Sequence, residues 1–171
     1  MRGIVVYESL WGNTEKVARA IAAELELSMS VTLADSDQAP DSLSGYDLVV
    51  VGGPTHAFSM TRAATRAGAV KENGAPHAPG RGIREWLSVL QPGSPAVQAW
   101  AFDTRVDKPR LPGSAARAAR HELRALGFDV KAKPESFRVH GYSGPLLDGE
   151  LQKAAKWARK LLKPASPSPQ S

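Results

Sequence analysis

Two unbroken apolar runs, residues 4–7 (IVVY) and residues 48–51 (LVVV), constrain this chain more than any other feature. Runs of this length, bounded by turn residues, read as strands buried on both faces. After the first run, Val17, Ala18, Ile21, Ala22 and Leu25 recur at helical spacing, and Leu27, Met29, Val31 and Leu33 then alternate with polar residues. A short turn or helix around residues 40–44 leads to the second run. A third, less clean run spans residues 96–102 and closes at Asp103. Ser114 stands where a helix N-cap should, and Ala116, Ala119, Leu123 and Leu126 follow at helical spacing until Gly127. Phe128, Val130 and Ala132 alternate as a fifth strand. A last helix begins near Asp148 and turns Leu151, Ala154, Ala155, Ala158, Leu161 and Leu162 inward.

Repeated strand-then-helix order requires a parallel sheet with helices on both faces. The first, third and fourth strands are the more continuous, so they belong in the middle; the second and fifth alternate, so they belong at the edges. The expected fold is therefore α/β, a doubly wound five-stranded parallel sheet of order 2-1-3-4-5. The other common doubly wound order needs a sixth strand that the sequence does not offer. Residues 61–95 exceed one helix and read as two short helices around an irregular loop at 73–82. The expected organisation is one domain over residues 1–163 and a disordered tail over 164–171 (PASPSPQS).

Composition removes several classes of function. The chain of 171 residues has no cysteine, which excludes disulfides, thiolate nucleophiles, iron–sulfur clusters and Cys-based zinc sites. No apolar stretch reaches the length of a membrane span, and the N-terminus lacks a signal-peptide pattern, so a cytoplasmic location is expected. Its four histidines, His56, His77, His121 and His140, have no metal-ligand spacing. No G-x-x-x-x-G-K-[ST] motif is present, and a phospho-acceptor receiver would need an acidic pair after the first strand where only Glu8 stands.

The net charge of +5 is unevenly distributed. Residues 1–60 hold three basic and eight acidic side chains, and the remainder holds 19 basic and nine acidic. Arg117, Arg120 and Arg124 share one helix face, and Lys153, Lys156, Lys160 and Lys163 another. These read as solvated faces; without interleaved aromatics or a binding motif, no nucleic-acid role is expected. Arg62, Arg66, Lys71, Arg81 and Arg84 sit in the long connection and read as a solvated loop, with attraction of NAD(P)H phosphates or an acidic protein as the alternative.

In this strand order the chain reverses direction between strands one and three, and a ligand should sit at their C-terminal ends. Two segments lie there. Ser9-Leu10-Trp11-Gly12-Asn13-Thr14 joins strand one to the first helix, where a glycine turn, free amides and the helix dipole favour a phosphate; the alternative is a plain capped turn. Gly52-Gly53-Pro54-Thr55-His56-Ala57-Phe58 follows strand three as a rigid, exposed turn offering a flat surface and a polar edge; alternatively His56 is a solvated loop histidine and Phe58 a core plug.

Together these segments make the chain resemble the flavodoxin family. Residues 4–25 (IVVYESLWGNTEKVARAIAAEL) are similar to its signature: Ser9, Gly12 and Thr14 match the phosphate-loop pattern Ser/Thr-x-Thr-Gly-x-Thr, while Trp11 replaces a hydroxyl. GGPTHAF stands where the family covers one side of the flavin ring. Asp103-Thr104-Arg105 stands where its second ring-contacting loop lies. The motifs DTR after strand four and GPLLDGE before the last helix are similar to those of small flavodoxin-like proteins.

The resemblance implies noncovalent FMN and a role in electron transfer. Ser9 and Thr14 hydroxyls with the amides of Leu10, Trp11, Gly12 and Asn13 would hold the phosphate. Trp11 would lie over the ribityl chain or shield the phosphate. Pro54, Thr55, His56, Ala57 and Phe58 would flank the ring, and Asp103, Thr104 and Arg105 its pyrimidine edge. Non-glycine residues at His56 and Ala57 should resist positive φ by about 1 kcal/mol or more, disfavouring a one-electron form that depends on a peptide flip there. A cation at Arg105 would favour an anionic two-electron-reduced ring. The implied partner is a redox protein; the alternatives are an oxidoreductase using NAD(P)H and a small acceptor such as a quinone, or a flavin-free interaction module.

Overall fold

The computed structural model describes residues 1–163; the expected tail, 164–171, lies outside the described residues. Five strands, β1 (Arg2–Tyr7), β2 (Ser30–Asp35), β3 (Leu48–Pro54), β4 (Gln98–Val106) and β5 (Glu135–Val139), form one sheet of order β2-β1-β3-β4-β5. Every pairing is parallel, as the doubly wound reading requires. The central position of β1 and β3 explains their unbroken apolar runs, since both faces are covered. Ile4, Val6, Val49 and Val51 pack on one side with α3 (Ile83–Val89) and α4 (Ala115–Ala125). Val5, Leu48 and Val50 pack on the other with α1 (Asn13–Leu25) and α5 (Glu150–Leu161). The fifth helix, α2 (Ala63–Asn73), precedes the irregular stretch expected before α3.

Close approach decides one position in this core. A Cβ on Gly52 would occupy the space of the Phe102 ring, so β3 and β4 meet there only because residue 52 has no side chain. Ser114 caps α4 as expected, its Oγ accepting from the Arg117 amide at 3.1 Å. Trp86, Ile83, Leu87 and Leu90 are all buried, as a packed helix face should be.

Local boundaries differ from expectation in four places. Leu27 is 78% exposed in the turn after α1, and β2 begins three residues later. β4 does not end at Asp103 but runs on to Val106. The alternating segment at 128–132 is not β5: it touches β4 through one isolated bridge, Gln98 with Asp129. Phe128 and Val130 alternate because they pack into the same cluster as α4, and the edge strand begins only after Pro134, which cannot donate to a ladder. Leu151 is exposed, while Trp157 is buried in its place on the inner face of α5.

The basic connection is solvated at Arg62 and Lys71, as expected, but not at Arg66, Arg81 and Arg84. Arg66 is 3% exposed and pairs with Glu85 at 2.6 Å. Arg81 bridges Asp41, Ser36 O and Ala39 O, and Arg84 donates to the carbonyls of Thr61 and Met60. Glu8, 1% exposed at the end of β1, accepts from Thr61 Oγ1 at 2.6 Å and the Ile83 amide at 2.8 Å. These side chains tie the long connection to the sheet. Among the described residues, no helix is long and apolar enough to cross a membrane.

Candidate functional site

Loops at the C-terminal ends of β1, β3 and β4, the predicted crossing point, converge with the one after β5 and enclose a cavity of ≈ 320 Å³. That volume falls at the lower end of the ~300–1,000 Å³ typical of small-molecule sites. Of the residues singled out from sequence, Ser9, Leu10, Trp11, Asn13, Thr14, Pro54, Thr55, His56, Ala57, Phe58, Thr104 and Arg105 line it. Gly12 and Asp103 do not.

The β1–α1 loop turns on Gly12, whose φ of +97° is the left-handed conformation glycine adopts without strain. Ser9 Oγ folds back to accept from the amides of Gly12 at 3.0 Å and Glu15 at 3.4 Å. The Gly12 amide is thus spent inside the loop. Among the described residues the amides of Leu10, Trp11, Asn13 and Thr14 have no acceptor, and the Ser9 hydroxyl keeps its own proton to donate. Thr14 Oγ1 meets Thr104 Oγ1 at 2.7 Å, both buried, so the pair locks α1 against β4 and leaves one hydroxyl proton free. Asn13 Nδ2 donates to Ser143 O, joining this loop to the one after β5.

The β3 loop makes a two-residue hairpin. His56 and Ser59 exchange backbone hydrogen bonds of 2.9 and 3.3 Å, and Ala57 and Phe58 between them have φ of +50° and +72°. Two positive φ values in a two-residue hairpin are the signature of a type I′ turn. The resistance to positive φ expected of non-glycine residues here is therefore overcome. Part of the reason is visible at Gly113: a Cβ there would collide with the Phe58 carbonyl, so the two backbones are packed in direct contact.

Asp103 faces away from the cavity. Its Oδ2 accepts from Ser114 Oγ at 2.6 Å, Thr55 Oγ1 at 3.0 Å and the Ala116 amide at 3.1 Å. It binds the β3 loop to the start of α4 and contacts no ligand space. Thr104 and Arg105 do line the cavity, and Arg105 Nη2 donates to Leu111 O at 2.8 Å.

An aromatic wall closes the mouth. Trp11, His56 and Tyr142 stand with ring centroids 6.2–6.3 Å apart, one residue from each of three loops. Trp11 is anchored by Nε1 to Asn73 O at 3.3 Å and packs edge-on beside His56. Burial lowers the pKa of His56, and its Nδ1 is buried without a partner. Sequence reasoning missed Tyr142, Gly141 and Val139, because β5 was expected several residues too early, and Val106, Leu111 and Pro112, because β4 was ended too soon.

The same architecture recurs in solved structures. A flavodoxin from the domain Archaea is 18% identical, with 94% of this chain and 96% of that one covered at a TM-score of 0.65. Flavodoxin 1 from Bacillus cereus is 16% identical over 97% and 100%, with a TM-score of 0.69. A flavodoxin, WrbA-like protein from Agrobacterium tumefaciens is 17% identical over 93% of both chains at 0.55. No curated protein sequence matches significantly. Residues 4–66 match the family model described as a flavodoxin domain, which takes in β1, the glycine loop, β3 and the hairpin. The whole chain shares the fold of these flavodoxins, and residues 4–66 are similar to a flavodoxin domain. Among the described residues the cavity wall holds no Asp or Glu, and Arg105 is its one permanently charged side chain.

Proposed function

We propose that the chain binds FMN at this cavity and serves in electron transfer. The observation that carries the reading is the set of free amides at Leu10, Trp11, Asn13 and Thr14, gathered by the Gly12 turn at the N-terminus of α1. A phosphate there receives hydrogen bonds without any basic side chain, supplemented by the protons of Ser9 and the Thr14–Thr104 pair. The donor set fits the phosphate of FMN, and the flat aromatic mouth fits its ring. Bound FMN would supply reversible one- and two-electron transfer. The protein's part would be placement and polarity: Trp11, His56 and Tyr142 bounding the ring, Arg105 supplying positive charge, and His56 remaining neutral near pH 7 with Nδ1 free to accept a hydrogen bond or proton.

A second reading, a two-electron oxidoreductase using NAD(P)H and a small acceptor, is favoured by one feature: a wall with a cation and no carboxylate, which stabilises an anionic reduced ring. Absorption of the purified chain before and after adding FMN and removing the excess tests the cofactor. Bands near 370 and 450 nm are expected; a colourless protein that FMN does not restore removes the basis for the redox function. Steady NADPH consumption with a quinone and no added reductase would select the enzyme over the carrier.

A further inference from the structure

Arg105 on β4 and Arg138 on β5 are register partners on adjacent parallel strands, so both side chains leave the sheet on the same face one strand spacing (~4.8 Å) apart. Like charges opposed in this way are destabilising. Neither forms an ion pair among the described residues. Each spends a single N–H on a backbone carbonyl, Arg105 on Leu111 O at 2.8 Å and Arg138 on Val106 O at 3.2 Å, out of five available per guanidinium. Both are only half-buried, so their remaining donors are within reach of solvent. Arg110 is a third member, held to Asp107 by one 3.4 Å contact with its own side chain 69% exposed. The mutual repulsion is visible in Arg138, whose pKa is lowered first by burial and then by the charges of Arg105 and Arg110. Asp103 and Asp107 act in the opposite direction but offset it only in part. Asp103 Oδ2 is committed to Thr55, Ser114 and Ala116, and Asp107 faces Arg110.

Three guanidiniums with one ion-paired counter-charge, Asp107, form a place for an anion. It adjoins the cavity, because Arg105, Leu111 and Val139 belong to the cavity wall and also border the cluster. We infer that Arg105, Arg110 and Arg138 are an anion subsite that receives the phosphates of a nicotinamide dinucleotide whose ring enters the aromatic mouth. Guanidinium forks suit phosphate oxygens bidentately. A dinucleotide is the small redox molecule that joins a flat ring to a diphosphate, matching an aromatic wall beside a cationic cluster. The dinucleotide identity rests on the flavin reading above; the anion subsite does not.

The test is calorimetric titration of NADP⁺ into the FMN-loaded protein, comparing wild type with Arg110→Gln and Arg138→Gln, neither of which touches the cavity. Binding weakened about tenfold by Arg138→Gln, and by a smaller factor by Arg110→Gln, with FMN uptake unchanged and the melting temperature not lowered, is the expected result. Arg110 is exposed, so its variant answers the question even if Arg138→Gln folds poorly. No NADP⁺ binding, binding indifferent to both substitutions, or response only to an acidic protein overturns the inference. If the chain takes up no FMN, the flavin reading fails separately. The subsite is then read with inorganic pyrophosphate on a Ser9→Asp background, which removes the competing anion position in the β1–α1 loop. Pyrophosphate heat abolished by Arg110→Gln with Arg138→Gln keeps the anion subsite; heat that survives both substitutions sinks it.

Discussion

At the scale of single residues, the site is governed by which oxygen or nitrogen is already taken. Ser9 Oγ accepts twice within its own loop, yet its proton remains to be donated. Ser9→Asp keeps the acceptor and replaces the donated proton with a negative charge facing the phosphate position, so FMN titration should show affinity falling by about two orders of magnitude or more; unchanged affinity would remove Ser9 from the phosphate site. Asp103 makes the opposite case. With three donors on one buried oxygen, Asp103→Ala should lower unfolding stability by about 3 kcal/mol, measured by urea denaturation, because Ser114, Thr55 and the Ala116 amide all lose an acceptor. FMN binding should suffer only through the displaced β3 loop, and a variant of wild-type stability would refute the anchoring role. The sequence placed Asp103 and Arg105 together at a ring edge. Ending the strand at Asp103 hid its continuation to Val106, in which Asp103 is committed to Thr55, Ser114 and Ala116 while Arg105 reaches the cavity wall.

At the scale of elements, the hairpin after β3 is the informative piece. Ala57 and Phe58 both sit in a conformation that disfavours a Cβ by about 1 kcal/mol or more each. Ala57→Gly relieves this strain while adding freedom to the unfolded chain, worth roughly 0.4–1 kcal/mol in the other direction. Thermal or urea unfolding should therefore show a variant as stable as the parent or up to about 1 kcal/mol more stable. A loss larger than that would mean the turn is not left-handed at residue 57. Gly113→Ala should act in the opposite sense, losing at least 2 kcal/mol, since φ is +88° there and the Phe58 carbonyl occupies the space of the new methyl group. The hairpin was foreseeable as a rigid turn from Gly52, Gly53 and Pro54, but its handedness was not. No glycine marks Ala57 or Phe58, and the contact that holds them comes from a residue more than 50 positions along the chain. Likewise, the pattern at 128–132 has strand alternation but lies on α4, so periodicity alone placed β5 too early.

At the scale of the whole molecule, strand order was the most legible property. Burial on both faces erases alternation in β1 and β3, and exposure at the edge preserves it in β2, so the hydropathy pattern encodes position in the sheet directly. What the pattern could not reveal is how the fold secures the long connection, and that rests on Glu8. Burial raises its pKa above the ordinary carboxylate value of 4.5, against the opposing influence of Thr61, the Ile83 amide and Arg66. A carboxyl with a raised folded-state pKa binds more protons folded than unfolded, so it makes stability fall as pH rises from about 4.5 through that raised value. Glu8→Gln keeps the size and one acceptor but does not titrate. The stability of wild type relative to Glu8→Gln should therefore be greatest in acid and decline toward neutrality. His56, whose pKa is lowered, contributes in the opposite sense, since stability is lost as pH falls below its unfolded value of about 6.5. Because His56 is present in both proteins, it cancels from the comparison. Urea denaturation of the pair at intervals from pH 4 to pH 8 isolates Glu8. A difference that instead rises from pH 4 and levels off above about pH 5.5 would overturn this and show Glu8 ionised throughout, held by Arg66 and Thr61 as a buried anion.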